Sequence, residues 1–143
     1  MTAKPIVLPD VASLRAQGLD IRTLGYLEAP LFYALMKRAG AVVFPSRYEG
    51  FGLPPLEAMR LGVPTVVSTC GALPEVCGDG AEYVHPDDAR GLASTLSRLT
   101  ADATVRAKAI AAAKARAAGF EWKKAAEQTL AVYREAVSEA STR

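Results

Sequence analysis

No stretch of this chain limits its fold more than residues 42–58, Val-Val-Phe-Pro-Ser-Arg-Tyr-Glu-Gly-Phe-Gly-Leu-Pro-Pro-Leu-Glu-Ala. The short apolar run from Ala41 to Phe44, rich in β-branched and aromatic residues, reads as a buried strand, and the glycines and prolines after it read as a loop opening a helix. Gly50 and Gly52 free the backbone to approach a ligand closely. Pro54 and Pro55 suit a first helical turn, where a missing N–H costs little. Strand, loop and helix N-terminus therefore follow one another directly, with backbone donors facing outward.

Glu49 stands just before the glycines, and Glu57 lies about one turn into the helix, where side chains tilt back toward the N-terminus. Both carboxylates can then face one mouth. The N–H groups and helix N-terminus between them favour a phosphate or another anion. Carboxylates are poor phosphate ligands but good acceptors for hydroxyl groups, so the pattern suits a sugar at one end and a ribose at the other. Each part taken alone has a plainer reading. Gly-Phe-Gly serves tight turns for backbone reasons, and either glutamate can be an ordinary solvated carboxylate, the second stabilised by the positive end of its helix.

Around this segment, Pro5 to Leu8 is expected to form a short strand and Val11 to Gln17 a short helix. Ile21 to Leu24 reads as a strand ending at Gly25, followed by a helix from about Pro30 whose apolar face carries Leu31, Phe32, Leu35, Met36 and Ala39. A helix from Pro54 to Leu61 is stopped by Gly62. Pro64 to Ser68 is a second strand, Leu73 to Val76 a helical turn within a loop, and Ala81 to Val84 a further short strand. Asp87 or Asp88 can cap a helix through Leu99, and Asp102 an alanine-rich helix to about Gly119. The last helix, Trp122 to Ala140, is expected to bury a stripe of Trp122, Ala126, Leu130, Tyr133 and Val137. Strands alternating with helices imply an α/β fold, a three-layer Rossmann-like unit with a short parallel sheet and ligands beyond the carboxyl ends of its strands.

At 143 residues the chain suits one domain able to bury roughly 70% of its unfolded surface. A net charge of +2 leaves no nucleic-acid footprint, and no apolar run approaches the roughly 20 residues that span a bilayer. With no signal-peptide pattern after Met1, a cytoplasmic setting is expected. Cys70 and Cys77 lack metal or redox spacing and read as free thiols. His85 reads as a loop residue before Pro86 rather than a general base, and the adjacent Asp87 and Asp88 as cap candidates rather than a metal pair, so no metal and no cofactor are expected. Arg106, Lys108, Lys114 and Arg116 read as a solvated helix face, because no aromatic or leucine stripe accompanies them as a membrane-surface helix would require. A dinucleotide-dependent oxidoreductase would want Gly-x-Gly-x-x-Gly after an early strand, which is absent.

The segment Pro45-Ser46-x-Tyr48-Glu49-Gly50-Phe51-Gly52-Leu53-Pro54-x-x-Glu57-Ala58-Met59 resembles the donor-sugar loop of family-4 retaining glycosyltransferases of the GT-B architecture. The likeness continues through Gly62-x-Pro64, Gly71-x-x-Pro74-Glu75-Val76, the stretch from Asp87 to Leu92 and Phe120-x-Trp122, and runs from about Ile21 to Tyr133. It implies part of the C-terminal domain of a GT-B fold: residues 1–143 as a single, partial nucleotide-sugar-binding domain, with 1–20 poorly matched and 102–140 as C-terminal helices. It further implies a nucleotide-sugar donor, retention of anomeric configuration and no metal held by an acidic motif. By position, Glu49 would meet the donor-sugar hydroxyls and the reacting face as the catalytic residue. Gly50, Phe51 and Gly52 would offer N–H groups to sugar, Leu53 to phosphate, and Glu57 would accept from the ribose. The backbone at Tyr26 and Leu27 falls where relatives hold the base.

Family members are more than twice this length, with an N-terminal acceptor-binding domain, and the early loops of their donor domain supply an arginine and a lysine to the pyrophosphate. Met1 to Asp20 places neither. Charge on a leaving diphosphate would then lose stabilisation worth several kcal/mol per donor group. Two readings follow: a donor part that works with an N-terminal acceptor-binding domain or chain, or a catalytically silent nucleotide-binding or structural remnant.

Overall fold

The computed structural model describes residues 11–141. They belong to two compact units, residues 1–32 and 33–143.

In the first unit, α1 (Val11–Ala16) forms where the apolar periodicity places it. Residues 21–24, expected as a strand, pair with no other strand among the described residues. Arg22 instead turns onto Asp20 at 3.0 Å, and the Ile21 carbonyl accepts from Arg15 Nε at 2.6 Å. The Ile21 N–H donates to the Leu19 carbonyl at 3.0 Å, so both backbone groups of Ile21 that a ladder would use are taken up locally. The strand expected from Pro5 to Leu8 lies outside the described residues. Helix α2 (Ala29–Arg38) follows, its residues from Tyr33 onward belonging to the second unit, and of its expected apolar face only Met36 is buried within the helix.

The second unit is built on a three-stranded sheet, with β1 (Val42–Phe44), β2 (Thr65–Ser68) and β3 (Glu82–Val84) in the order β1-β2-β3. Both pairings are parallel, with Val43 opposite Val66 and Phe44 opposite Val67, then Val67 opposite Tyr83 and Ser68 opposite Val84. Parallel strands need crossovers, and helices supply them: α3 (Leu53–Arg60) between β1 and β2, then α4 (Leu73–Cys77) and a 3-10 turn (Gly78–Gly80) between β2 and β3. Helices α5 (Ala89–Ala101), α6 (Ala103–Ala117) and α7 (Trp122–Ser141) complete the chain.

Alternation along the strands sorts the core into two faces. Phe44, Val67 and Tyr83 pack with Met59 and Leu56 of α3, Leu73 and Cys77 of α4, and Ala113 and Ala117 of α6. On the opposite face, Val43, Val66 and Val84 pack with Leu92, Leu96 and Leu99 of α5 and with Val105 and Ala109 at the start of α6. The result is the expected three-layer α/β unit with a short parallel sheet.

Aspartates fix the first turns of α5 and α6. Asp88, rather than Asp87, caps α5, its Oδ1 accepting from Gly91 N at 2.8 Å. Asp102 caps α6 by accepting from Thr104 N and Val105 N at 2.8 and 3.0 Å. The basic face expected to be solvated is partly structural. Arg106 donates to the Gly40 carbonyl, and Arg116 donates to the carbonyls of Val76 and Glu75 at 2.9 and 2.6 Å while lying 5.0 Å from the Phe120 ring centroid. The largest departure is α7. Its stripe is exposed instead of buried, with Trp122 at 83%, because α3, α4, α5 and α6 already cover both faces of so narrow a sheet.

Candidate functional site

The loop after β1 leaves the carboxyl end of the sheet, and its geometry is fixed by contacts to the loop after β2. Buried Ser68, the last residue of β2, donates through Oγ to the Ser46 carbonyl at 2.5 Å and accepts from Cys70 N at 3.3 Å. Ser46 Oγ in turn donates to Glu49 Oε1 at 2.7 Å. The Glu49 carbonyl accepts from Ala72 N at 3.2 Å. At Gly71, where φ is +61°, a Cβ would stand 2.9 Å from both the N and O of Glu49, so only glycine lets these two backbones approach. Half-buried Glu49 is thereby held through its backbone and through one carboxylate oxygen.

Gly52, at φ +102°, turns the chain into α3. Its carbonyl accepts from Leu56 N at 3.2 Å, and Pro54 and Pro55 have no N–H to offer. The helix N-terminus itself therefore contributes one donor, Leu53 N–H, which is fewer than a helix start of ordinary sequence would present. The remaining donors belong to the loop. Among the described residues, the N–H groups of Gly50, Phe51, Gly52 and Leu53 engage no acceptor of the chain. Phe51 is steadied by an edge-to-face contact with Phe120, ring centroids 6.0 Å apart at 82°.

Glu57, half-buried in α3, receives the Tyr33 hydroxyl of α2 on Oε1 at 2.8 Å. That hydrogen bond, with lesser contributions from burial and the carboxylate charge, pushes the Tyr33 phenol above its ordinary pKa. Tyr26 and Leu27 lie in the other unit, in the irregular segment before α2 where the chain bends at Tyr26, and Tyr26 is exposed.

Beside the loop, Arg47 makes a two-pronged contact with Asp87, one prong being Nη1 to Oδ2 at 3.1 Å, which joins the chain after β1 to the chain after β3. The Arg47 hydrogen bond, ahead of the charges of Arg47 and His85, holds the Asp87 carboxyl below its usual range. His85 has a neighbour that its sequence position did not reveal: Nδ1 is 3.9 Å from Asp87 Oδ2 and accepts from Asp87 N at 3.3 Å. Among the described residues no three His, Cys, Asp or Glu side chains converge as a metal site would require.

Sequence reasoning singled out the two carboxylates and the glycine loop but missed the hydroxyls that hold them. Ser46 was readable as a partner three residues before Glu49. Tyr33, 24 residues before Glu57, carried no local signal.

Comparison with known proteins bears on this arrangement. The family model described as glycosyl transferases group 1 matches residues 5–102. O-antigen chain mannosyltransferase B of Escherichia coli is 40% identical over 117 residues, 80% of this chain and 30% of that protein. The MMP alpha-(1->4)-mannosyltransferase of Mycolicibacterium hassiacum is 42% identical over 109 residues, 73% of this chain and 26% of that protein. Among solved structures, sucrose-phosphate synthase from Thermosynechococcus elongatus superposes with a TM-score of 0.78 at 26% identity, over 90% of this chain and 33% of that one. The chain thus spans about a third or less of the length of these relatives.

Proposed function

The chain belongs to the glycosyl transferases group 1 family, and from that premise we propose that it is the donor-binding part of a hexosyltransferase that takes its sugar from a nucleoside diphosphate. One observation carries the reading: four consecutive N–H groups, Gly50 to Leu53, which engage no acceptor among the described residues, lie along the chain between two half-buried carboxylates. Such donors suit the diphosphate and the sugar oxygens next to it, and the carboxylates suit the hydroxyls at either end. In this assignment Glu57 accepts from the ribose and Glu49 from the sugar.

Transfer would break the bond between the anomeric carbon and the diphosphate oxygen and form one from the acceptor oxygen to the same face of that carbon. The acceptor proton would leave with the diphosphate. An acceptor-binding part, supplied by a further domain or chain, completes this scheme. We place the protein in the cytoplasm, a setting supported by the free thiols of Cys70 and Cys77.

Titration calorimetry with ADP, GDP and UDP, each with and without chelator, tests the reading. One of them should bind, with no need for a divalent cation. Glu57→Gln should weaken it by about one to two decades, corresponding to roughly 1.5–3 kcal/mol for a charge-assisted hydrogen bond, and Glu49→Gln should have little effect until the sugar is present. Equal responses to the two substitutions would undo the roles, a strict dependence on magnesium would remove the metal-free site, and no binding of any nucleotide would leave a structural remnant of a glycosyltransferase.

A further inference from the structure

We propose that Ser46 and Tyr33 are positioning residues, each hydroxyl holding one oxygen of a donor-facing carboxylate so that the other oxygen is presented to the donor. The inference rests on the donor-site reading above and adds to it what sets the direction of the two carboxylates.

A free carboxylate on a surface loop rotates about its last two torsions and spends most of its time misdirected. Glu49 is denied that freedom. Its carbonyl is tied to Ala72, its backbone is closed in by Gly71, and Oε1 receives Ser46 Oγ at 2.7 Å. Ser46 is itself anchored, since its carbonyl accepts from Ser68, a fully buried residue at the end of β2. The chain of bonds runs from Cys70 N–H to Ser68 Oγ, from the Ser68 hydroxyl to the Ser46 carbonyl, and from the Ser46 hydroxyl to Glu49. Rigid sheet thus dictates where a loop carboxylate points.

Glu57 is held differently, with the same outcome. Its own helix α3 is fixed by the buried Ala58 and Met59, and Tyr33 reaches across from α2 to Oε1 at 2.8 Å. A hydroxyl suits this task better than a cation. Arginine would take both carboxylate oxygens and neutralise the charge, whereas one hydroxyl occupies a single lone pair and leaves the second oxygen to accept from a diol.

Because the two hydroxyls serve different carboxylates, their loss should be read in different parts of the ligand. The measurement is the affinity of the full chain for ADP, GDP and UDP and for their glucosyl and mannosyl esters, by calorimetry. Ser46→Ala should leave the nucleoside diphosphate affinity unchanged but cut the gain from adding the sugar about three- to tenfold, and Ser46→Thr, which keeps the hydroxyl, should restore it. Tyr33→Phe should weaken the nucleoside diphosphate and its sugar ester equally, again about three- to tenfold, and should cause no further loss when Glu57→Gln is already present. A merely structural serine or tyrosine would lower the melting temperature without sorting its effect by ligand part. Should Ser46→Ala fail to fold, Ser46→Cys keeps the volume with a poorer donor and is expected to show the same reduced sugar gain. If the wild type binds a nucleotide sugar and neither variant shifts these ratios, the positioning roles are wrong while the donor site stands. If the wild type binds none of the panel, both fall together.

Discussion

At the scale of single residues, Tyr83 shows how burial becomes a dependence on pH. Its ring packs on the core beneath β3 and its hydroxyl donates to the Gly78 carbonyl at 2.7 Å. Burial, assisted by the neighbouring Cys77 and Asp79 and opposed by Arg116, pushes its pKa from 10.0 up to about 12. A raised value means that the folded state holds its proton more tightly than the unfolded state. The stabilisation is therefore complete below pH about 10 and is lost as pH rises through about 12. We expect the denaturant midpoint of the wild type to fall across that interval. Tyr83→Phe should have a lower midpoint at pH 8 and a shallower decline above pH 10, the remaining slope reflecting Cys77, whose thiol burial pushes up, and Tyr33, whose phenol is shifted in the same direction. Parallel declines in the two proteins would remove Tyr83 from this account.

Among elements, the connection between the loops after β1 and β2 matters most, and Gly71 is its narrowest point. Alanine there would carry both a left-handed φ of +61° and a Cβ pressed to 2.9 Å from backbone atoms of Glu49, which cannot swing aside as a side chain would. Gly71→Ala is expected to cost about 1–3 kcal/mol in denaturant unfolding. It should also move Glu49 and so reduce the affinity gained from the donor sugar. Full stability and an unchanged sugar gain would show that this approach is not what sets the loop.

For the whole molecule, stability should be concentrated on the sheet and its covering helices and nearly absent from the stripe of α7. Met59 is 0% exposed on one face of the sheet, so Met59→Ala should cost about 2–5 kcal/mol. Leu130 lies exposed on α7, and Leu130→Ala should change stability by about 0.5 kcal/mol or less. Chemical denaturation of the two variants tests the contrast. A large loss in Leu130→Ala would mean that α7 is packed against the unit and that its exposed stripe is not its resting state.

The sequence alone determined whatever rests on neighbours along the chain. Within Ala41 to Phe44 a strand had to form, though Val42 to Phe44 is half-buried rather than buried, Gly52 and the two prolines had to open a helix, and Asp102 had to cap one, because backbone dihedrals and short-range hydrogen bonds decide these outcomes. The same locality made the two-carboxylate loop and its family resemblance readable. Only the tertiary structure decided what depends on available surface and distant partners. Ile21 to Leu24 has strand-like residues, but the backbone groups of Ile21 are claimed locally by Arg15 and Leu19. The α7 stripe has a perfectly helical period, yet both small sheet faces are already covered by α3 to α6 and the stripe stays exposed. Arg106 and Arg116 look solvated by composition and instead reach carbonyls 66 and 40 residues away. The hydroxyl of Tyr33 meets Glu57 across 24 residues for the same reason: periodicity reports which face a residue occupies, while the partner on that face is chosen by how the chain packs.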